Sequence, residues 1–130
     1  EISPYEKEYR NLYNFRLINR WIKDEEINSF LWKNIVTVLP YLDATQSGVI
    51  NIAMLNNSLV IASDVGGIKE QIIDKETGIL VKANDEDDLL KNMEFVINNK
   101  DKCERICIRS KKALSILNWN HLSKCLLDII

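Results

Sequence analysis

The chain has little that would mark it as a binder of polyanions, a membrane protein or a metalloenzyme. Lys and Arg total 17 against 19 Asp and Glu, so the net charge is -2. No excess of positive charge is available to hold a phosphate polymer, which disfavours nucleic acid as a partner. No apolar run approaches the ~20 residues a membrane-spanning helix requires. No basic stretch followed by an apolar run opens the chain, which begins "EISPYEKEY" without a Met. The sequence therefore reads as a piece of something longer. There is one histidine, His121, so paired-histidine chemistry is excluded, and no Ser is flanked as G-x-S-x-G. Three cysteines, an odd number without an export signal, read as reduced thiols and a cytoplasmic location. No repeat, low-complexity tract or Pro/Gly-rich linker divides the 130 residues, which suit one compact domain.

Two spacings invite a metal reading. Cys103 and Cys107 are four apart, as are His121 and Cys125, so four zinc ligands could be gathered from two helix faces. The stronger reading is apolar. Cys103, Ile106, Cys107, Leu114 and Leu117 form one stripe at helical spacing, and buried Cys is common core filling. "NDEDD" (84–88) is better read as a helix start, where acids favour the dipole, than as a metal cluster. No metal and no cofactor is expected.

What is present is an alternation of short β-branched runs with helix-period segments. "FRLIN" (15–19) reads as a short strand and "DEEINSFLWKN" (24–34) as a helix with acids in its first turn. "IVTVLP" is a strand that Pro40 ends; "SGVINIAMLNN" is a helix closed by Asn56 and Asn57. "LVIAS" (59–63) is a second strand, "DVGG" a tight loop, "IKEQII" a short helix and "ILV" (79–81) a third strand. Helices follow over about 85–98, with Leu89, Leu90, Met93, Val96 and Ile97 facing inward, over about 102–117, and from about 119 to the end. Strands apolar throughout, alternating with helices, imply parallel βαβ units covered on both faces. The fold class is α/β: the distal half of a Rossmann-like, doubly wound parallel sheet with three helices at the C-terminus. The expected organisation is a single partial domain over 1–130, with an open sheet edge.

In such a sheet ligands bind beyond the carboxyl ends of the strands. "YLDATQS" and "DVGG" leave two such ends, and each leads into a helix N-terminus. The first helix offers the amides of Ser47, Gly48 and Val49, with Thr45 or Ser47 as the cap. Unpaired N–H groups and the positive end of the helix dipole suit an anion. Gly48 lets a ligand approach the backbone, while Gly66 and Gly67 permit unusual backbone angles and open space on the neighbouring loop. Routine capping and turn chemistry explain the same residues without a ligand.

Taken together, "LVIASDVGGIKEQIIDKETGILV", the preceding loop and helix, the flank "NRWIKDEEINSFLWKNIVTVLPY" and the closing "LNWNHLSKCLLDII" resemble the carboxyl-terminal, donor-binding domain of retaining GT-B glycosyltransferases. The resemblance covers about residues 14–130. It implies a nucleotide diphosphate sugar bound between two Rossmann-like domains, the amino-terminal one lying outside this chain. It also implies transfer of a hexose with retention to a glycan or lipid-linked acceptor, generally without metal, as in polysaccharide or lipopolysaccharide synthesis. By position, Thr45, Gln46, Ser47, Gly48 and Val49 would hold the donor diphosphate, with Asp43, Gly66 and Gly67 on the donor loops. The resemblance assigns no catalytic residue. Two departures stand out: the positions of a glutamate pair found in many members hold Ala44 and Ile52, and the Pro after "GG" is replaced, giving Lys69-Glu70. This chain alone is expected to be inactive. A non-catalytic sugar-nucleotide-binding or regulatory module, and a GT-B sugar-nucleotide epimerase, are the alternatives. Peripheral membrane association of the parent is left open.

Overall fold

A computed structural model describes residues 14, 16–31 and 36–116. Its elements are α1 (Asp24–Leu31), β1 (Val36–Leu39), α2 (Gly48–Leu55), β2 (Leu59–Ser63), α3 (Ile68–Gln71), β3 (Ile79–Val81), α4 (Glu86–Asn98) and α5 (Lys100–Ile116). The strands form one parallel sheet in the order β1-β2-β3. Val36 is paired with Leu59 and Leu39 with Ala62; Ile61 is paired with Ile79 and Ser63 with Val81.

β2 is central, and all five of its residues are buried. That explains why "LVIAS" shows no polar alternation: both of its faces are covered. Val60 and Ala62 face a cluster with Leu31, Ile50, Ala53, Met54, Ile68 and Ile72, contributed by the α1, α2 and α3 side. Leu59 and Ile61 face the other way, onto Ile79, Val81, Val96, Cys103 and Ile106 on the α4 and α5 side. Each fully buried Ile or Leu contributes roughly 1.5–3 kcal/mol. Helices on both faces of a parallel sheet make the expected doubly wound layer.

The ends of the elements follow local chemistry. Pro40 follows β1 directly, and a Pro has no N–H to continue a ladder. α2 closes on Asn56, and Asn57 takes φ 58, a left-handed angle that Asn tolerates. Asp85 caps α4 by accepting the Asp88 amide at 3.0 Å, with Glu86, Asp87 and Asp88 in the first turn. The acids of "NDEDD" are therefore a helix start, as read from the sequence.

Three expectations change. Residues 16–19 form no regular element, and Phe15 lies outside the described residues. Of the residues expected inward on α4, Val96 is buried and Leu89 half-buried, but Leu90, Met93 and Ile97 are 56%, 40% and 68% exposed. The reason is geometric. α4 rests on β3, an edge strand of three residues, which covers one narrow stripe. That stripe runs through Leu89, Asn92, Phe95, Val96 and Asn99, all buried or half-buried. Its two Asn side chains satisfy themselves on the helix, donating to the carbonyls of Asp88 and Phe95 at 2.8 Å. The helix "IKEQII" is shorter than expected and stops at Gln71, where Ile72 becomes extended. On α5, Cys103 and Ile106 are buried and Cys107 and Leu114 half-buried, as the stripe predicts; Leu117 is not described. The last expected helix, with His121 and Cys125, lies outside the described residues. Among the described residues no three metal-ligating side chains gather, and no helix is long and apolar enough to cross a membrane.

Candidate functional site

Because β1 and β2 are parallel neighbours, the loops leaving their carboxyl ends lie side by side. The amide of Gly67 donates to the carbonyl of Ala44 at 3.2 Å, joining the two loops. The glycines permit this contact. Gly66 takes φ +45, and a Cβ on Gly66 or Gly67 would collide with the carbonyl of Ala44 or Thr45 respectively. The expectation that these glycines open space is therefore corrected. The space is filled by the neighbouring backbone, and the missing side chains allow one loop to rest on the other.

Ser47 occupies the N-cap position of α2, with extended angles (φ -134, ψ 120), but its side chain makes no capping bond. Its hydroxyl shares a hydrogen bond with the Tyr41 hydroxyl at 3.1 Å instead. Its amide donates to Gln71 Oε1 at 2.8 Å, and its carbonyl accepts from Gln71 Nε2 at 3.1 Å. Ser47 is only 7% exposed. So the Ser47 amide, expected to face an anion, is already committed within the fold. The amides of Gly48 and Val49, in the first turn of α2, have no carbonyl one turn earlier to bond. A Cβ at Gly48 would meet nothing within 4 Å, so this stretch of backbone faces open space. Thr45, Gln46, Gly48 and Val49 are exposed, as is Asp43.

Ala44 and Ile52 are half-buried and packed against the core cluster of α1, α2 and α3. These two positions serve packing, whereas Asp43 and Asn51 beside them are exposed. Lys69 and Glu70 are exposed on α3. At the same carboxyl end of the sheet is an open cleft of about 170 Å³, lined by Pro40 and Leu42 after β1, Ser63, Val81, Asp85 and Leu89; none of the residues from Asp43 to Val49 lines it. The Asp88 amide, and then Lys82, hold the Asp85 carboxyl below its ordinary pKa. It is therefore an ionised cap, not a proton donor near neutral pH.

Chemically, the β1-β2 end offers backbone donors at a positive helix end, over glycine, with no histidine or metal cluster among the described residues. That arrangement suits binding and charge stabilisation better than proton transfer. A family model described as glycosyl transferases group 1 matches residues 3–99. The chain belongs to this family. An uncharacterised glycosyltransferase of Methanocaldococcus jannaschii is 29% identical over 119 residues, covering 92% of this chain and 33% of the relative. The chain thus spans a third of that relative's length. Among solved structures, the C-terminal domain of a group 1 glycosyl transferase (LpcC) from Francisella tularensis superposes with a TM-score of 0.74 at 19% identity. The match covers 85% of this chain and 57% of that one. HepE of Anabaena, solved in complex with UDP-glucose, superposes with a TM-score of 0.68 at 18% identity, covering 75% of this chain and 27% of that one. The fold of this group 1 chain is that of a GT-B C-terminal, Rossmann-like domain.

Gln71 and Tyr41 are the residues that sequence reasoning missed. Gln71 is 24 positions from Ser47, and no periodicity links them. Their one trace in the sequence is indirect. A polar residue ends the short helix after "GG", where "IKEQII" would otherwise turn wholly apolar.

Proposed function

We propose that this chain is the donor-binding part of a longer glycosyltransferase. The parent enzyme transfers a hexose from a nucleotide diphosphate sugar to a glycan or lipid-linked acceptor, with retention, in polysaccharide or lipopolysaccharide synthesis. The observation that carries the reading is the uncapped start of α2, with the Ser47 hydroxyl turned away and open space over Gly48. Thr45, Gln46, Gly48 and Val49 surround the diphosphate of the donor. Its negative charge grows as the sugar leaves, so backbone N–H groups and the helix dipole stabilise the transition state more than the ground state. Asp43, exposed at the mouth of the loop, is the nearest carboxylate in sequence for the donor's hydroxyl groups. The complex of HepE with UDP-glucose supports a uridine nucleotide as the first donor to try.

The test is an amide NMR titration of this chain with UDP, GDP and inorganic pyrophosphate. Shifts at Gly48 and Val49 are expected with each ligand, larger with the preferred nucleotide. No shift at millimolar UDP, GDP or pyrophosphate would sink the phosphate site.

One observation favours a second reading, a non-catalytic module of the same fold. Ala44 and Ile52, where many relatives of this kind carry glutamates, are apolar and packed. Product analysis of the full-length protein separates the two: a glycosylated product supports the enzyme, and nucleotide binding without turnover supports the module.

A further inference from the structure

Gln71 ends α3, a helix of four residues that starts directly after the two glycines. Its side-chain amide lies along the backbone of Ser47, accepting from the N–H at 2.8 Å and donating to the carbonyl at 3.1 Å. One hydrogen bond would leave a pivot; two, on both sides of one residue, fix its orientation. Ser47 is the last residue before α2, so its orientation sets where the amides of Gly48 and Val49 point. An N-cap Ser ordinarily accepts from an amide two or three residues on. Here that bond is forgone: the Ser47 hydroxyl is held by Tyr41 and the Ser47 backbone by Gln71. The natural internal competitor for the first-turn amides is kept away from them.

We propose that Gln71 is a positioning residue for the donor diphosphate. It grips Ser47 so that the first-turn amides of α2 stay uncapped and aimed at the anion. This rests on the reading of α2 as the phosphate site. It also revises the donor set, because Ser47 contributes orientation while Gly48 and Val49 contribute the hydrogen bonds.

The experiment compares the unmodified chain with Gln71→Met and Gln71→Glu, using UDP as the probe. Binding is followed through the amide signals of Gly48 and Val49, and the grip through hydrogen exchange of the Ser47 amide. An ionised Glu still accepts from Ser47 but has lost the donor; a protonated Glu regains it. At pH 7.5 both variants should bind UDP about tenfold more weakly, the equivalent of roughly one hydrogen bond. As pH falls through the new carboxyl's pKa, Gln71→Glu should return toward the unmodified affinity, while Gln71→Met should not. The charged neighbours are Lys69 and Glu70 on α3 and Asp43 on the facing loop, all exposed. They and UDP itself are common to every sample, so the result is read as a ratio to the unmodified chain at each pH. A residue that merely stabilised the fold would show no such pH-dependent rescue. Variants within twofold of the unmodified chain at pH 7.5, or a deficit in Gln71→Glu that ignores pH, overturn the proposal. If the unmodified chain binds no UDP while its Ser47 amide stays protected, the phosphate reading itself has failed, and the positioning role falls with it although the grip is real.

Discussion

Replacing Gly67 by Ala tests the loop apposition on which the site depends. Gly67 has φ -84 and ψ 0, angles any residue adopts, so the substitution adds a methyl group without backbone strain. That methyl would lie 1.8 Å from the Thr45 carbonyl oxygen and 3.0 Å from its carbon, where ordinary contact starts near 3.4 Å. The obstacle is backbone, which cannot swing aside as a flexible side chain would. The loops must part by about 1.5 Å, enough to break the Gly67–Ala44 hydrogen bond and to strain the Ser47–Gln71 pair. Overpacking costs about 1–3 kcal/mol and each lost hydrogen bond about 1 kcal/mol, so a loss of roughly 2–4 kcal/mol is expected. Urea unfolding measures it as a lower midpoint at unchanged slope. Gly48→Ala is the control. Its added methyl meets nothing within 4 Å, and in a helical first turn Ala is expected to be neutral or to stabilise by up to about 1 kcal/mol. UDP binding should nevertheless fall about tenfold, because the methyl enters the face offered to the ligand. A Gly67→Ala variant within about 0.5 kcal/mol of the unmodified chain would refute the apposition argument. A Gly48→Ala variant that binds UDP normally would refute the assignment of the open face.

Truncating Ile61, fully buried in the central strand, to Ala should cost about 2–5 kcal/mol in the same urea assay. Burial pushes the thiols of Cys103 and Cys107 above the ordinary cysteine pKa. In peptide mapping both should alkylate at least about tenfold more slowly at pH 8 in the folded chain than in urea, since only the thiolate reacts. The Glu26 carboxyl is lowered to about 2, first by its hydrogen bonds from Arg20 and then by the Lys23 amide. Because the folded pKa lies below the ordinary 4.5, the stabilisation is present above about pH 4.5 and is lost as pH falls toward 2. A carbon-13 titration of Arg20→Gln should move the Glu26 midpoint upward; an unmoved midpoint would assign the shift to the Lys23 amide instead.

Period and composition were enough to read the parallel order, because a strand buried on both faces advertises itself as an unbroken apolar run. "IVTVLP", "LVIAS" and "ILV" were all found this way, and so was the acidic start of α4. The face of α4 was not legible. Leu90, Met93 and Ile97 and the true stripe through Leu89 and Val96 are both compatible with helical spacing. Only the width of the strand beneath decides between them, and width is a tertiary property. At the site, Gly48 and the open helix start were visible in "ATQSGV", since capping and glycine chemistry act within a few residues. The commitment of the Ser47 amide was invisible, because its partner comes from another βα unit.

That distance explains how the site is built. The parallel register sets the two loops at the same end of the sheet but does not bring them into contact. Contact is made by Gly66 and Gly67, whose missing side chains let the second loop settle on the Ala44–Thr45 backbone. Once settled, α3 begins close enough for Gln71, four residues after Gly67, to reach Ser47. The glycine pair therefore acts on the ligand at one remove: it sets the spacing of the two loops, Gln71 sets the angle, and α2 supplies the charge. A longer loop in place of "DVGG" could keep the fold, since loops tolerate insertion at modest entropic cost. It would carry Gln71 away from Ser47 and release the Ser47 backbone, so that the first-turn amides of α2 lose their fixed direction. Such an insertion should lower the unfolding midpoint only by the lost loop hydrogen bonds, about 1 kcal/mol each, while UDP binding falls to the level of Gln71→Met. If binding survived the insertion, the helix start would be self-sufficient and the second loop a bystander.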